Sequence, residues 1–320
     1  MIRDNRMTNA VARKPKGLTY FEQFAMGLGR ICNETRTGKR MQEIFLRSVG
    51  YSWVRAAIAH RMYVHGLDEL AALEPERGVV FAANHRTFFD QYVMMTVILA
   101  GPVGWARDFF FPVRSNFFYE RPLGVVVNFA MSAGTMYPPV FRQVERSSLN
   151  KDTIKKIVEL LKKPGTLIGM HPEGTRNRTG DPYALLPAQP GIGELALKAQ
   201  PIVIPVFVNG LTNNFSYELF ASWRRDIRRK ACVCVFGPPI NYGAMAAQTP
   251  RPALYKEFSN MVREEILKLS VLERQIREKC ERGVISDDDP GWLCNRPVGR
   301  FYAYRSSLGG TRDRGRSTLP

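Results

Sequence analysis

A histidine and an aspartate with four residues between them can act as a base and its orienter. Here they are His85 and Asp90, in Asn84-His85-Arg86-Thr87-Phe88-Phe89-Asp90. A histidine can take a proton from a hydroxyl near neutral pH. A carboxylate one turn on can fix its tautomer and stabilise the imidazolium. No serine or cysteine stands beside the pair as a nucleophile. On spacing alone such a histidine is more often an ordinary loop or core residue than a catalyst, so the pair needs a second group to carry chemistry.

That group is offered by His171-Pro172-Glu173-Gly174-Thr175-Arg176-Asn177-Arg178. Arg176 can present a planar fork to a phosphate or carboxylate. Thr175 and the backbone N–H groups around Gly174 can complete an anion cradle. Alone, the cluster also reads as a surface turn whose Glu and Arg pair with each other, worth little.

Both clusters follow apolar runs, Gly78–Ala83 and Gly165–Met170, which read as buried strands. In open α/β sheets ligands collect outside the carboxyl ends of strands. From 61 to 245 strand-like and helix-like segments alternate, which argues for an α/β fold: a mixed central sheet flanked by helices. Strands are expected near 61–65, 78–84, 103–108, 134–137, 165–170, 202–208 and 231–236. Helices are expected near 88–100, 122–132, 150–163 (capped by Asn150) and 191–199. A longer amphipathic helix follows over 252–281, on Leu254, Phe258, Met261, Val262, Leu269 and Leu272.

The ordered blocks resemble the PlsC-like glycerolipid acyltransferase family, the 1-acylglycerol-3-phosphate or lysophospholipid acyltransferases. They are the His-x-x-x-x-Asp (HX4D) motif at 85–90, Pro-Glu-Gly-Thr-Arg at 172–176 and the Ile-Pro-Val strand around Pro205. His65-Gly66-Leu67-Asp68-Glu69-Leu70 before them and Phe236-Gly237-Pro238-Pro239-Ile240 after them are similar to the family's flanking segments. The resemblance covers roughly residues 60–245. It implies His85 as general base and Asp90 as its orienter. Glu173, Gly174, Thr175 and Arg176 would position a glycerol-phosphate acceptor, and Pro205 would shape the pocket. It implies acyl transfer from acyl-CoA or acyl carrier protein to a lysophospholipid hydroxyl, in phospholipid biosynthesis, with no cofactor and no metal.

The chain departs from the family in places. The aromatic-x-x-Arg block falls at Met136–Arg146, where a double proline alters the spacing. Arg142 is the first choice for the phosphate-binding arginine and Arg146 the second. His171 stands where the family usually carries an aromatic or aliphatic residue. Gln189-Pro190 precede Gly191 where a lysine is common. The departures bear on the identity of the acceptor.

The 320 residues carry a formal net charge of +17 and a 45% apolar fraction. That is enough for one large α/β domain with appendages, and the charge points to polyanionic partners. Much of it lies in an arm (Arg3, Arg6, Arg13, Lys14, Lys16) and a tail (Arg296, Arg300, Arg305, Arg312, Arg314, Arg316). Basic ends suit an anionic membrane surface; tails that merely solubilise would have the same composition. Five scattered cysteines without a Cys-x-x-Cys pair read as reduced core thiols in a cytoplasmic setting. No apolar run reaches the ~20 residues a membrane span needs, so the expectation is a peripheral protein on the inner face of a membrane.

The expected organisation is a disordered basic arm over 1–17 and an amphipathic two-helix element over 18–63. The α/β acyltransferase domain follows over 64–245, then a C-terminal helix over 246–283 and a basic, extended tail over 284–320. In the two-helix element Phe21, Phe24, Ala25, Leu28 and Ile31 share a face at helical spacing, bordered by arginines. That face suits a membrane interface or the core. Competing functions are acyl transfer to a non-phosphate lyso-lipid such as a lyso-aminolipid, thioester hydrolysis, and non-enzymatic binding of an anionic surface or nucleic acid. No recognised nucleic-acid module is present, so nucleic acid is not an expected partner.

Overall fold

The structure, a computed structural model, describes residues 17–100, 103–141, 146–221 and 227–296. It opens on three helices, α1 (Tyr20–Glu34), α2 (Arg36–Phe45) and α3 (Tyr51–Ile58), with one π turn at Leu46–Gly50 before α3. Strand β1 (Met62–His65), short helix α4 (Leu67–Ala71), strand β2 (Val79–Ala83) and helix α5 (Asp90–Ala100) follow. Next come β3 (Asp108–Phe110), β4 (Val113–Arg114), α6 (Ser115–Phe118), α7 (Pro122–Ser132), β5 (Pro139–Val140) and α8 (Ser147–Leu161). The last part holds β6 (Thr166–Met170), α9 (Gly191–Ala199), β7 (Ile202–Asn209), α10 (Phe215–Ala221), β8 (Cys232–Phe236), α11 (Gly243–Ala246) and α12 (Pro252–Glu281).

Six strands form one sheet in the order β1-β8-β7-β2-β6-β3. The pairs are parallel except β7 with β8, so the sheet is mixed and flanked by helices. Strand β2 lies at the centre and every one of its residues is buried. A strand covered on both faces reads as a continuous apolar run rather than an alternation. Helix α5 is buried along its whole length, as a helix that is apolar all round must be. Helix α12 packs on α9, β7 and β8. Gly193 permits that approach, because a Cβ there would meet the Tyr255 carbonyl oxygen at 2.0 Å.

Several expectations are corrected: the strand expected near 103–108 forms at Asp108–Phe110, and the expected two-helix element over 18–63 holds three helices. No strand forms over 134–137. The chain turns through the left-handed residues Ala133 and Gly134, and the short strand comes later, at Pro139–Val140, paired with Val113–Arg114. Asn150 does not cap α8. It lies inside the helix, and its side chain exchanges hydrogen bonds with the Phe141 backbone at 2.8 and 2.6 Å. Nor is the segment after α12 an extended tail as far as it is described. Trp292 is buried, packs edge-on against Tyr63 with ring centroids 5.3 Å apart, and forms a bridge to it along β1. Burying an indole outweighs the disordering effect of the Gly, Asp and Pro around it.

The expected apolar stripe of α1 is divided. Ala25 is buried, whereas Phe24 and Ile31 are exposed, as are Tyr20 and, on α2, Met41 and Ile44. The face turned to the core docks through polar groups instead. Asn33 donates to the Gly134 carbonyl, Gln42 to the Ala133 carbonyl, and the Lys39 ammonium to the Phe109 carbonyl. Among the described residues, no helix is long and apolar enough to cross a membrane.

Candidate active site

Strands β2 and β6 run side by side and parallel, with Ala82 opposite Met170. Their carboxyl ends therefore deliver residues 84–90 and 171–178 to the same rim of the sheet. Strand β7 flanks β2 on the other side, also parallel, and sends residues 210–214 to that rim. The neighbouring strand ends bring together motifs that lie far apart in the chain.

His85 Nδ1 lies 3.1 Å from Asp90 Oδ2. A carboxylate only accepts, so the hydrogen bond assigns the ring proton to Nδ1 and leaves Nε2 as the lone-pair nitrogen. Asp90 starts α5 and is buried. Oδ2 also accepts from the backbone N–H groups of Arg86 (2.7 Å) and Thr87 (2.9 Å), and Oδ1 accepts from the Thr87 hydroxyl at 2.5 Å. Burial alone would raise this carboxyl. The hydrogen bond and charge of His85, with the Thr87 hydroxyl, outweigh it and hold Asp90 below its ordinary value. The aspartate is thus an ionised, immobile orienter.

Glu173 is buried and both its oxygens are used inside the protein. Oε1 accepts from the His85 backbone N–H at 2.7 Å, and Oε2 accepts from that of Leu186 at 2.7 Å. Burial raises its carboxyl above the usual range in spite of those two donors. The sequence expectation put Glu173 on the acceptor; its contacts instead brace the histidine. The Asn177 N–H donates to the His85 carbonyl at 2.7 Å, so His85 is gripped at both ends of its peptide.

Gly174 has φ +64°, the left-handed region that favours glycine, and its N–H closes a tight turn onto the His171 carbonyl at 2.9 Å. The Arg114 guanidinium donates to the Gly174 carbonyl at 2.8 Å. Thr175 is half-buried on the same turn. Arg176 follows and donates to Asn213 Oδ1 at 2.9 Å. Asn213 Oδ1 also accepts from the Phe88 N–H at 3.0 Å. One amide thus joins the histidine turn to the arginine turn. Neither Arg114 nor Asn213 was anticipated, because both stand outside the recognised blocks.

The other expected residues are not gathered there. Arg142 lies outside the described residues. The Arg146 guanidinium is bound to Glu22 on α1, at 2.6 and 3.3 Å, both side chains being largely buried. Arg146 thus fastens the helical element, and Glu22 in turn completes the capping box of α1 with Thr19. Pro205 is a buried residue of β7 opposite Ala82, against whose ring a Cβ on Gly237 would come within 2.9 Å. It shapes the sheet where β8 separates from β7. Among the described residues no group of three His, Cys, Asp or Glu side chains is arranged to hold a metal ion.

Residues 61–209 match the family model described as Acyltransferase. The chain is 26% identical over 144 residues to 1-acyl-sn-glycerol-3-phosphate acyltransferase beta of Homo sapiens, a match covering 45% of this chain and 46% of that relative. The matched stretch thus spans about half the length of the curated relative. Among solved structures, the 1-acyl-sn-glycerophosphate (LPA) acyltransferase PlsC of Thermotoga maritima is similar at a TM-score of 0.41 and 16% identity, over 78% of this chain and 89% of that one. The region that matches the Acyltransferase model holds both turns of the rim, and over those residues the chain is similar to that family.

Proposed function

We propose that the protein transfers a fatty acyl group from a thioester, carried by CoA or acyl carrier protein, to the hydroxyl of a lysophospholipid such as 1-acylglycerol-3-phosphate. The observation that carries this reading is the Asp90–His85 pair, fixed at 3.1 Å beside the Gly174–Arg176 turn. His85 Nε2 takes the acceptor's hydroxyl proton as that oxygen attacks the thioester carbonyl. The tetrahedral intermediate collapses, the C–S bond breaks, and the departing thiolate takes the proton from the imidazolium. Asp90 stabilises the imidazolium between those two transfers. The Arg176 guanidinium holds the acceptor's phosphate. The test is acyl transfer by purified protein from labelled acyl-CoA, and separately from acyl carrier protein, to a panel of lyso-lipids. Product from phosphate-bearing acceptors supports the reading; product from neutral or amino-lipid acceptors alone replaces it with the non-phosphate one.

The same reading has the protein attach peripherally to an anionic membrane, on the inner, cytoplasmic face. Support comes from the exposed Tyr20, Phe24 and Ile31 of α1 and the exposed Met41 and Ile44 of α2, beside exposed Arg30, Arg36 and Arg40. Interfacial helices bind through such a combination of apolar and basic side chains.

A further inference from the structure

The rings of His85 and His171 are stacked, with centroids 3.9 Å apart and planes 6° from parallel. His171 is the first residue after β6, so the parallel pairing with β2 sets it beside the Ala83–Asn84 peptide. Its Nδ1 lies 2.9 Å from the Asn84 carbonyl oxygen and 3.1 Å from that of Ala83. Carbonyls only accept, so this nitrogen carries the proton and Nε2 holds the lone pair. Nε2 is buried and has no hydrogen-bond partner among the described residues. A proton there would place a second cation, without an acceptor, against the ring of the base.

We propose that His171 is a positioning residue for His85, a permanently neutral ring that fixes the plane of the base and shields one of its faces from water. The inference rests on the reading of His85 as the base. Three contacts define the ring of His85: the Asp90 carboxylate at its edge, the His85 main chain held by Glu173 and Asn177, and His171 across its face. The anchor for the stack is itself rigid. Asn84, whose carbonyl holds His171, is clamped to β7, donating to the Val208 carbonyl at 2.9 Å and accepting from the Val208 N–H at 2.7 Å. The residue before the base is therefore tied to β6 through His171 and to β7 through its own amide.

Burial and the neighbouring His85 keep the proton off His171, against the opposing pull of the Asp90 charge. Asp90 bonds to His85, not to His171, and Glu173 is committed to two backbone donors. Arg86 is turned away to the carbonyls of Thr179 and Asp181, Arg114 to that of Gly174, and Arg176 to Asn213. The thiols of Cys232 and Cys234 on β8 are pushed up by burial and stay protonated. Burial first, and then the neighbouring His85, push His171 down to about 3. His85 is therefore the member of the pair that charges during turnover.

The test compares His171→Ala, His171→Phe and His85→Ala in acyl transfer, with kcat and KM resolved and kcat/KM followed against pH. His171→Ala, which frees the ring, is expected to lower kcat by roughly tenfold or more, as loss of orientation does, with KM within twofold. Water reaching the uncovered face favours the imidazolium, so the acid limb of kcat/KM moves to higher pH by about half a unit. His171→Phe restores the stack and is expected to recover most of the rate and return the limb. Should His171→Ala not fold, His171→Gln makes the same comparison with a donor but no ring. An unchanged kcat and acid limb in the ring-less variant, with wild-type stability, overturns the proposal. So does a phenylalanine variant no better than the ring-less one. Full activity in His85→Ala would instead remove the base assignment, so the two failures are distinguishable.

Discussion

Glu173 reaches from the end of one strand to the next and accepts the backbone N–H of His85 at 2.7 Å. The glutamate of the Pro-Glu-Gly-Thr-Arg turn thus acts on the histidine turn, two positions 88 residues apart brought into one contact between neighbouring strand ends. Replacing Glu173 by Ala leaves two buried N–H groups, those of His85 and Leu186, without acceptors. A loss of about 1–3 kcal/mol per group is expected in urea denaturation, together with a fall in kcat. Stability within ~0.5 kcal/mol of wild type would mean that the brace carries no weight.

Asp90 gives a pH signature. Its carboxyl is held below its ordinary value of 3.8 in the folded protein, so its contribution to stability is present above that value. The contribution is lost as pH falls from there through the depressed folded value. Asp90→Asn is expected to flatten that part of the stability–pH curve while lowering activity at neutral pH. The check is a denaturation series at acid pH on both proteins; parallel curves contradict the assignment.

His171 has the opposite ionisation and a wider window. Its folded value is depressed to about 3 from an ordinary 6.5. The unfolded chain therefore binds a proton that the folded one refuses, and stability falls as pH drops from 6.5 toward 3. The slope is at most ~1.4 kcal/mol per pH unit for one proton. His171→Phe is expected to remove that slope. Were the slope to persist in the phenylalanine variant, His171 would not be the buried neutral group described above.

Much of this arrangement was legible in the sequence. The apolar runs at 78–83 and 165–170 indicated buried strands, and the motifs after them indicated a shared rim. What a sequence does not state is which strands become neighbours. The contacts of Asn213 with Arg176 and Phe88, and the stacking of His171 on His85, follow from the order β7-β2-β6 and from no local pattern. Arg146 was misplaced for a related reason. An arginine near an aromatic reads as a ligand group, whereas its partner Glu22 lies 124 residues away on α1. The outward turn of Phe24 and Ile31 was equally hidden, because the inner face of α1 and α2 docks through Asn33, Lys39 and Gln42, side chains that periodicity counts as solvent-facing.

Arg146 and Arg176 should separate in mutagenesis. Arg146→Ala leaves Glu22 buried without its partner, and a destabilisation of about 3 kcal/mol or more is expected, with KM for a phosphate-bearing acceptor unchanged. Arg176→Ala should do the reverse, raising that KM with little change in stability. A selective KM effect in the Arg146 variant would return it to the substrate site.

Membrane attachment predicts that the protein sediments with anionic liposomes at low salt and is released as salt rises. Phe24→Asp, on the exposed side of α1, should weaken sedimentation without unfolding the protein. Equal binding to neutral and anionic vesicles would remove the electrostatic part of the account.

The central claim is that His85 takes the proton of an acceptor hydroxyl during acyl transfer. The most direct measurement is the rate of lysophospholipid acylation by His85→Ala against wild type, at matched stability and saturating donor. A fall of roughly 10²–10⁴-fold in kcat is predicted, the usual worth of a general base. A variant that acylates at the wild-type rate would contradict it.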